Sequence, residues 1–217
     1  MNEFEVMWRQ KIKENTLNIA GKQVHDLVEK NDFNDEVLYS KQLIRDLKNN
    51  IIENKIKDIF CASACHMPHE FLENAKKAYQ ETGEIEAARK ELLVVFEQKT
   101  KVDKQMTQEQ FDTCLDLGMG LAGLPVNKDI LVTKIPSRFQ EYYLETDPIK
   151  KKSLYCHCKR VRHDLLQNSN LDSIYCHCGG GFYQDIWEYI TEKKVTIEVV
   201  KNLFDGDDVC QFKISFK

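Results

Sequence analysis

The first half of the chain repeats apolar residues at the spacing of α-helices. Residues 4–30 predict one long helix, 31–35 form a polar break, and helical spacing resumes through residue 60. Pro68 then predicts the end or a kink of that helix. Three further helices are expected before residue 118, at 70–80, at 84–99 and at 108–117, the last with a capping box formed by Thr107 and Gln110.

In the second half the spacing changes to alternation over short segments, which is typical of β-strands. Between these segments, Tyr183, Ile186, Trp187 and Ile190 have the spacing of one buried helix face. The predicted elements of this half are a strand at 129–135, a helix at 137–145 closed by Asp147-Pro148, two strands around 154–158 and 174–178, a helix at 181–191, and strands at 195–199 and 209–216 with a turn at 202–208.

This order predicts an α+β fold, in which a helical N-terminal half packs on an antiparallel C-terminal sheet with a long helix across it. We expect residues 1–50 to form an N-terminal helical segment and residues 51–217 an α+β domain, together in one compact unit.

Charge and composition exclude several classes of function. The formal net charge of −4 argues against binding nucleic acid by bulk electrostatics. There is no apolar run long enough to cross a membrane and no secretory signal, so we expect a cytoplasmic protein. Thiols stay reduced there, and the eight cysteines are then metal ligands, reactive thiols or small core residues rather than disulfides.

Four of these cysteines lie in a near-repeat, Tyr155-Cys-His-Cys158 and Tyr175-Cys-His-Cys178. On two neighbouring strands, Cys156, Cys158, Cys176 and Cys178 would share one face and form a site for zinc or another thiophilic metal. Residues two apart on a strand are about 6.6 Å apart at Cα, however, so a C-x-C pair chelates one metal only where the backbone bends. Core packing, metal binding and a reactive thiol all remain open for these residues.

A second candidate lies at Cys61 and Cys65, which share one helix face. They are either further metal ligands or part of a small-residue face that packs on a neighbour. His66 and His69 nearby are expected to be ordinary surface or capping residues.

The glycines that follow Cys178 form a third candidate. The N–H groups of Gly180 and Gly181, ahead of a helix, would suit an anion such as a carboxylate, with Arg160 as its partner. A tight strand-to-helix turn explains the glycines equally well. Glu188, beside Trp187, is a candidate general base if it faces the thiols.

From Tyr175 onward the residues resemble a known family. The run Tyr175-Cys-His-Cys-Gly-Gly-Gly, then Trp187-Glu188, then a final Gly206-Asp-Asp-Val-Cys-Gln-Phe212 segment is similar to the C-terminal signature of the L-2-amino-thiazoline-4-carboxylate hydrolase-like bacterial proteins. It is more distantly similar to 4-vinyl-reductase-like small-molecule-binding domains. The resemblance covers roughly residues 55–217 and implies a ligand pocket between a helix and an antiparallel sheet.

The resemblance also implies a reaction, the opening of a thiazoline-type ring by water. A metal on the cysteine pairs would activate the water, Glu188 or His177 would transfer protons, and Gly180, Gly181 or Arg160 would hold the carboxylate while Trp187 lines the pocket.

Three hypotheses follow. The first is a hydrolase acting on a small cyclic sulfur or nitrogen compound, the second a non-catalytic sensor of a small ligand or metal, and the third a structural protein with core cysteines. We expect a small-molecule ligand rather than nucleic acid or a membrane, with a homodimer as one option for assembly.

Overall fold

The computed structural model describes residues 3–167 and 171–216. Its first half is helical, as the apolar spacing predicts. The long helix expected over 4–30 is divided at Gly21, which has a φ of 87° that residues with a β-carbon rarely adopt. The helices of this half are α1 (Glu3–Ala20), α2 (Lys22–Glu29), α3 (Glu36–Asn50), α4 (Glu53–Ala62), α5 (Glu73–Thr82), α6 (Ile85–Val95) and α7 (Gln108–Asp116).

Two details of this half bear on the site. The capping box of α7 is confirmed, with Thr107 and Gln110 each bonding the other's backbone N–H. After α6 the helix continues as a π-helical segment, Phe96–Lys101. Such segments are rare and change the direction of the side chains that follow.

The second half contains a four-stranded antiparallel sheet with strand order β1-β2-β4-β3. Its strands are β1 (Leu124–Val126), β2 (Asp129–Thr133), β3 (Val195–Lys201) and β4 (Gln211–Phe216). The remaining helices are α8 (Phe139–Leu144), α9 (Pro148–Tyr155), α10 (Lys159–Gln167) and α11 (His177–Thr191). The α+β prediction is confirmed.

Helix α11 crosses the sheet on its buried face. Tyr183 packs on Phe212 and Trp187 packs on Phe216, with ring centroids 5.5 and 5.3 Å apart. Trp187 and Phe212 are both buried. The helical spacing that predicted one buried face for this helix therefore identified the right residues.

The strands predicted around the two Cys-His-Cys copies are wrong. Asp147 and Pro148, taken as the end of a helix, instead begin α9: the Asp147 side chain accepts a hydrogen bond from the backbone N–H of Lys150, and α9 runs on to Tyr155. In the second copy, Asp172 caps a 3-10 turn, Ser173–Cys176, which leads directly into α11. An alternation of four residues is too short to outweigh these helix-start signals.

The first 50 residues share a hydrophobic core with the second half. Trp8 of α1 packs on Tyr175, with ring centroids 5.7 Å apart, and both are buried. Val161 and Leu171 belong to the same core cluster. Within residues 3–167 and 171–216, we find no helix with the length and apolar character needed to cross a bilayer.

Candidate functional site

A cavity of about 500 Å³ lies where α11, the ends of β2 and β4, and the segment between α9 and α10 meet. Residues from the π-helical segment and from the loop after α4 complete its wall, among them Thr100 and Met67. Its volume falls within the range typical of small-molecule sites, roughly 300–1,000 Å³. The ligand pocket implied by the resemblance therefore has a counterpart between helix and sheet.

Six of the eight cysteines line this cavity. They come from five different parts of the fold: the loop after α4, the end of α9, the link to α10, the 3-10 turn with the start of α11, and the residue before β4. They are Cys65, Cys156, Cys158, Cys176, Cys178 and Cys210. All are free thiols.

The other two cysteines lie elsewhere. The thiol of Cys61 donates to the backbone carbonyl of His177 at 3.2 Å, which joins α4 to the start of α11. Cys114 is buried in a separate cluster with Phe96 and Phe139. Of the second candidate pair, the structure thus brings Cys65 to the cavity and leaves Cys61 in a packing contact.

The cavity keeps most of these thiols in their neutral form. Burial raises the pKa of Cys65, Cys156, Cys176 and Cys210, and it raises the pKa of Cys178 to about 12. A thiol with such a raised pKa is protonated at neutral pH and is a weak nucleophile. The reactive-thiol alternative therefore gains no support from this environment.

Lys134 is the cation most closely associated with the thiols. Its positive charge opposes the effect of burial and lowers the pKa of Cys65, Cys156, Cys176, Cys178 and Cys210. Two hydrogen bonds fix the backbone of Lys134. Its N–H donates to the Cys210 carbonyl at 2.8 Å, and its carbonyl accepts from the Tyr155 hydroxyl. In the described part of the chain, its ammonium group has no hydrogen bond or ion pair.

Arg160 also lines the cavity, but its charge is already paired. The guanidinium contacts the Glu5 carboxylate and the Tyr175 hydroxyl and lies 3.7 Å from the centre of the Trp8 ring. Burial by itself lowers the pKa of Arg160, and Tyr175, Cys158 and Glu5 together raise it above its usual value. Arg160 is thus a permanent cation whose partners lie on α1 and beside α11.

His157, from the first Cys-His-Cys copy, is a further wall residue. Its Nε2–H donates to the Ile135 carbonyl at 2.7 Å, which assigns the neutral tautomer. The residue retains solvent-accessible surface, yet desolvation by the surrounding protein and the charge of Lys134 lower the pKa of His157 to about 3. The imidazole is therefore neutral at physiological pH.

Five of the residues that the sequence nominated do not line the cavity: Trp187, Glu188, His177, Gly180 and Gly181. Trp187 is a core residue. Glu188 lies near the far end of α11, where it accepts from Lys194 at 2.7 Å and from Gln184 at 3.0 Å. Burial lowers the pKa of His177 to about 4.

The glycines are not a loop ahead of the helix, and that prediction is wrong. Helix α11 begins at His177, so Gly180 and Gly181 lie within it. A β-carbon at Gly181 would overlap the Cys61 carbonyl, and one at Gly180 would lie 2.8 Å from Cγ2 of Ile197. Both glycines allow close packing, whereas Gly179 faces the cavity.

Cys210, Lys134 and His157 are among the wall residues that were not nominated as site residues. For Cys210 a signal was present, because its alternation with Phe212 places both on the face of β4 that meets the cavity. His157 stood inside the repeat, but the predicted strand turned it away from the thiols. Lys134 carried no such signal, since its position depends on contacts made across the fold.

Side chains that bind one metal ion must lie closer together than residues that only line the same cavity. Among residues 3–167 and 171–216, no group of three or more His, Cys, Asp or Glu side chains already has the arrangement that holds a metal ion. The donor set is nevertheless of the soft type, with six thiols and one imidazole on a single wall.

Comparison with protein-family models, with curated proteins and with solved structures found no match. The function is therefore argued from the cavity.

Proposed function

We propose that this protein binds a small anionic organic molecule in the cavity. The observation that carries the proposal is the unpaired ammonium group of Lys134 on an otherwise largely apolar wall. A partly buried ammonium group on an apolar wall is incompletely hydrated, and a bound anion would give it a charged hydrogen-bond partner. This proposal corresponds to the second hypothesis from the sequence, a non-catalytic domain that binds a small ligand.

The charge balance of the wall supports an anion. Lys99, Lys104, Lys134 and Arg160 line the cavity, and Asp103 is the acidic residue among its lining residues. The chain as a whole carries a net charge of −4. A positive cavity in an acidic protein attracts anions selectively, because clefts with apolar walls concentrate the field of the charges that line them.

The remaining wall suits a flat, apolar body. Tyr155, Phe182, Tyr183 and Phe212 contribute aromatic surface. Rings pack well against other rings and against planar heterocycles. A carboxylate on a small aromatic or heterocyclic ring would therefore satisfy both the cation and the apolar surface.

Of Lys134 and Arg160, Lys134 is the better anion partner. Arg160 already has a carboxylate and a hydroxyl as partners, so an added anion would have to displace them or share the charge. Lys134 has no such partner within the described residues, and its backbone is fixed at both ends by hydrogen bonds.

Thermal shift and calorimetric titration with thiazole-4-carboxylate, benzoate and their neutral carboxamides test this proposal. We expect the carboxylates to bind and Lys134→Met to weaken their binding at least about tenfold, because a hydrogen bond to a charged group contributes about 1.5–3 kcal/mol. Lys128→Met, an exposed lysine in the turn between β1 and β2, is the matched control and should change nothing. Equal binding of carboxylates and carboxamides, or binding of neither, would contradict the proposal.

Hydrolysis of a bound ring is the second candidate function. It is favoured by the neutral His157 on the wall, which is free to accept a proton, although its lowered pKa makes it a weak base. Glu188 and His177, the proton-transfer residues implied by the resemblance, do not line the cavity. Mass spectrometry of 2-aminothiazoline-4-carboxylate incubated with the chain distinguishes the two candidates: ring-opened product supports hydrolysis, and unchanged but bound ligand supports binding alone.

A further inference from the structure

A second group of positive charges lines the cavity, on the π-helical segment after α6 and the residues directly following it. Lys99, Thr100 and Lys104 belong to this stretch, and Asp103 is its acidic member. Lys99 and Asp103 are exposed and Lys104 is half-buried, so this part of the wall borders solvent. Lys134 comes from another part of the fold, directly after β2. The cavity therefore has cations on two separate segments.

The donors on the π-helical stretch have no carboxylate partner. Within the described residues, neither Lys99 nor Lys104 forms an ion pair, and the Thr100 hydroxyl makes no hydrogen bond. The ammonium group of Lys99 lies 4.3 Å from the centre of the Phe71 ring. The ammonium group of Lys104 donates to the backbone carbonyl of Ser137, a neutral acceptor. Because an ammonium group has three N–H donors, both lysines keep donors for a further partner.

Lys101 shows that a lysine on the same segment can be paired. Its ammonium group lies 3.6 Å from the Glu97 carboxylate and donates to the Gln108 side chain at 2.6 Å. Lys101 does not line the cavity. The lysine that points away from the cavity is therefore neutralised by the protein, whereas Lys99 and Lys104 are not. Segments of this π-helical kind are rare and are frequently found at functional sites.

The charges of the wall leave two positions for anionic groups. Arg160 is paired with Glu5. Burial lowers the pKa of Lys104, and the nearby charge of Asp103 acts in the opposite direction, so Asp103 offsets part of the charge on its own stretch. Two lysines against one aspartate still leave a positive charge there, and Lys134 adds a second one elsewhere on the wall.

We propose that the cavity binds a small organic dianion, with one carboxylate at Lys134 and a second anionic group at Lys99, Thr100 and Lys104. This inference rests on the binding of an anion at Lys134 and specifies the class of ligand further. A dicarboxylate on an aromatic or heterocyclic ring fits best. Its two charges are held apart by a rigid apolar body, as the two groups of cations are joined by an aromatic wall.

The second anionic group distinguishes this ligand from singly charged molecules of the same shape. A carboxamide in its place keeps the size and a hydrogen-bond acceptor but removes the charge. The charged group gains stronger hydrogen bonds from the two ammonium groups. Because this side of the cavity borders solvent, salt screens the interaction, and the preference for a dianion should be largest at low ionic strength.

Calorimetric titration of the full-length chain at low ionic strength tests the proposal. The probes are isophthalate and terephthalate, which hold two carboxylates at different separations, and their monoamides, 3- and 4-carbamoylbenzoate. We expect at least one dicarboxylate to bind about fivefold or more tightly than its own monoamide. If the monoamides bind and neither dicarboxylate is preferred, the dianion inference is overturned, while anion binding at Lys134 stands. If none of the four binds, both are overturned.

Substitutions locate the second position. The double variant Lys99→Met with Lys104→Met should reduce the preference for the dicarboxylate to less than about twofold and change the monoamide affinity less, because the monoamide depends on Lys134. Lys101→Met is the matched control and should keep the preference. Asp103→Asn removes the opposing charge and should increase it.

A preference that persists in the double variant, or an equal loss in Lys101→Met, would overturn the assignment of the second anionic group to Lys99 and Lys104. The comparison of each dicarboxylate with its monoamide uses the native chain. It therefore remains decisive if the double variant does not fold.

Discussion

At the scale of single residues, Gly181 shows how closely the helices beside the cavity approach each other. The residue lies within α11, directly against the backbone of Cys61 in α4. The thiol of Cys61 adds a hydrogen bond to the His177 carbonyl, so the two helices are joined by backbone as well as side chain. The start of α11, which carries Cys178 and Gly179 to the cavity, is positioned by this contact.

We expect Gly181→Ala to lower the free energy of unfolding by about 3 kcal/mol or more, because a methyl group there would overlap a backbone carbonyl that cannot rotate away. Urea unfolding followed by circular dichroism measures the change.

Gly180→Ala is the matched control one residue away. Its added methyl group meets Cγ2 of Ile197, a side-chain atom rather than a backbone carbonyl, and alanine favours a helix by about 1 kcal/mol over glycine. Its loss of stability should therefore be clearly smaller than that of Gly181→Ala. Equal losses of stability in the two variants would show that the close approach of α4 and α11 is not as described.

At the scale of elements, the start of α9 decides how the first Cys-His-Cys copy reaches the cavity. Asp147 caps this helix and Pro148 occupies its first turn. Cys156 therefore follows a helix end rather than lying on a strand, and its backbone turns towards the cavity. The π-helical segment Phe96–Lys101 acts similarly, since Lys99 and Thr100 on it line the same cavity.

We expect Asp147→Ala to destabilise the protein by about 1 kcal/mol, within the usual 0.5–2 kcal/mol for loss of an N-cap. Thermal or urea unfolding measures this change. Asp147→Ser keeps a side-chain oxygen at the cap and should remain within a few tenths of a kcal/mol of the native chain. If serine is as destabilising as alanine, the hydrogen bond to Lys150 is not what stabilises the start of α9.

At the scale of the whole molecule, the N-terminal helix and the cavity wall share a buried ionic network. The Glu5 carboxylate contacts Arg160, 155 positions away in the chain, and also accepts from Arg9 at 2.6 Å. Glu5 and Arg160 are 1% and 2% exposed. Such a network connects α1 to the wall, so the first helices belong to the structural unit that contains the site.

We expect Glu5→Gln to lower the free energy of unfolding by about 3–5 kcal/mol, because it leaves Arg160 and Arg9 buried without their carboxylate. Chemical denaturation at neutral pH measures the loss. Glu14→Gln, an exposed residue on the same helix, is the control and should be nearly neutral. A loss below about 1 kcal/mol for Glu5→Gln would mean that the pair contributes little net stability.

Local patterns were sufficient for much of the fold. Helical spacing identified the buried face of α11, the capping box identified the start of α7, and alternation placed β2, β3 and β4 near their observed positions. The same spacing did not reveal the division at Gly21, because one glycine is tolerated in many helices.

The same local patterns predicted only part of the candidate site. Cys156, Cys158, Cys176 and Cys178 of the repeat all line one cavity, although none of the four lies on a strand in the described part of the chain. Glu188 and Trp187 were nominated from their place on the helix after the second repeat copy and from the resemblance, yet α11 carries them away from the cavity along its axis. A helix separates residues by about 1.5 Å each, so ten residues beyond Cys178 amount to about 15 Å.

The sequence by itself determined the α+β class, most of the N-terminal helices, the buried face of α11 and the strands β2, β3 and β4, because those properties follow from local spacing and helix caps. Only the tertiary structure decided that Cys65 and Cys210 join the repeat in one cavity wall, that Lys134 lies among them without a hydrogen bond or ion pair to its ammonium group from the described residues, and that Arg160 is paired with Glu5. Burial, charge pairing and desolvation depend on residues far apart in the chain, and no local pattern encodes them.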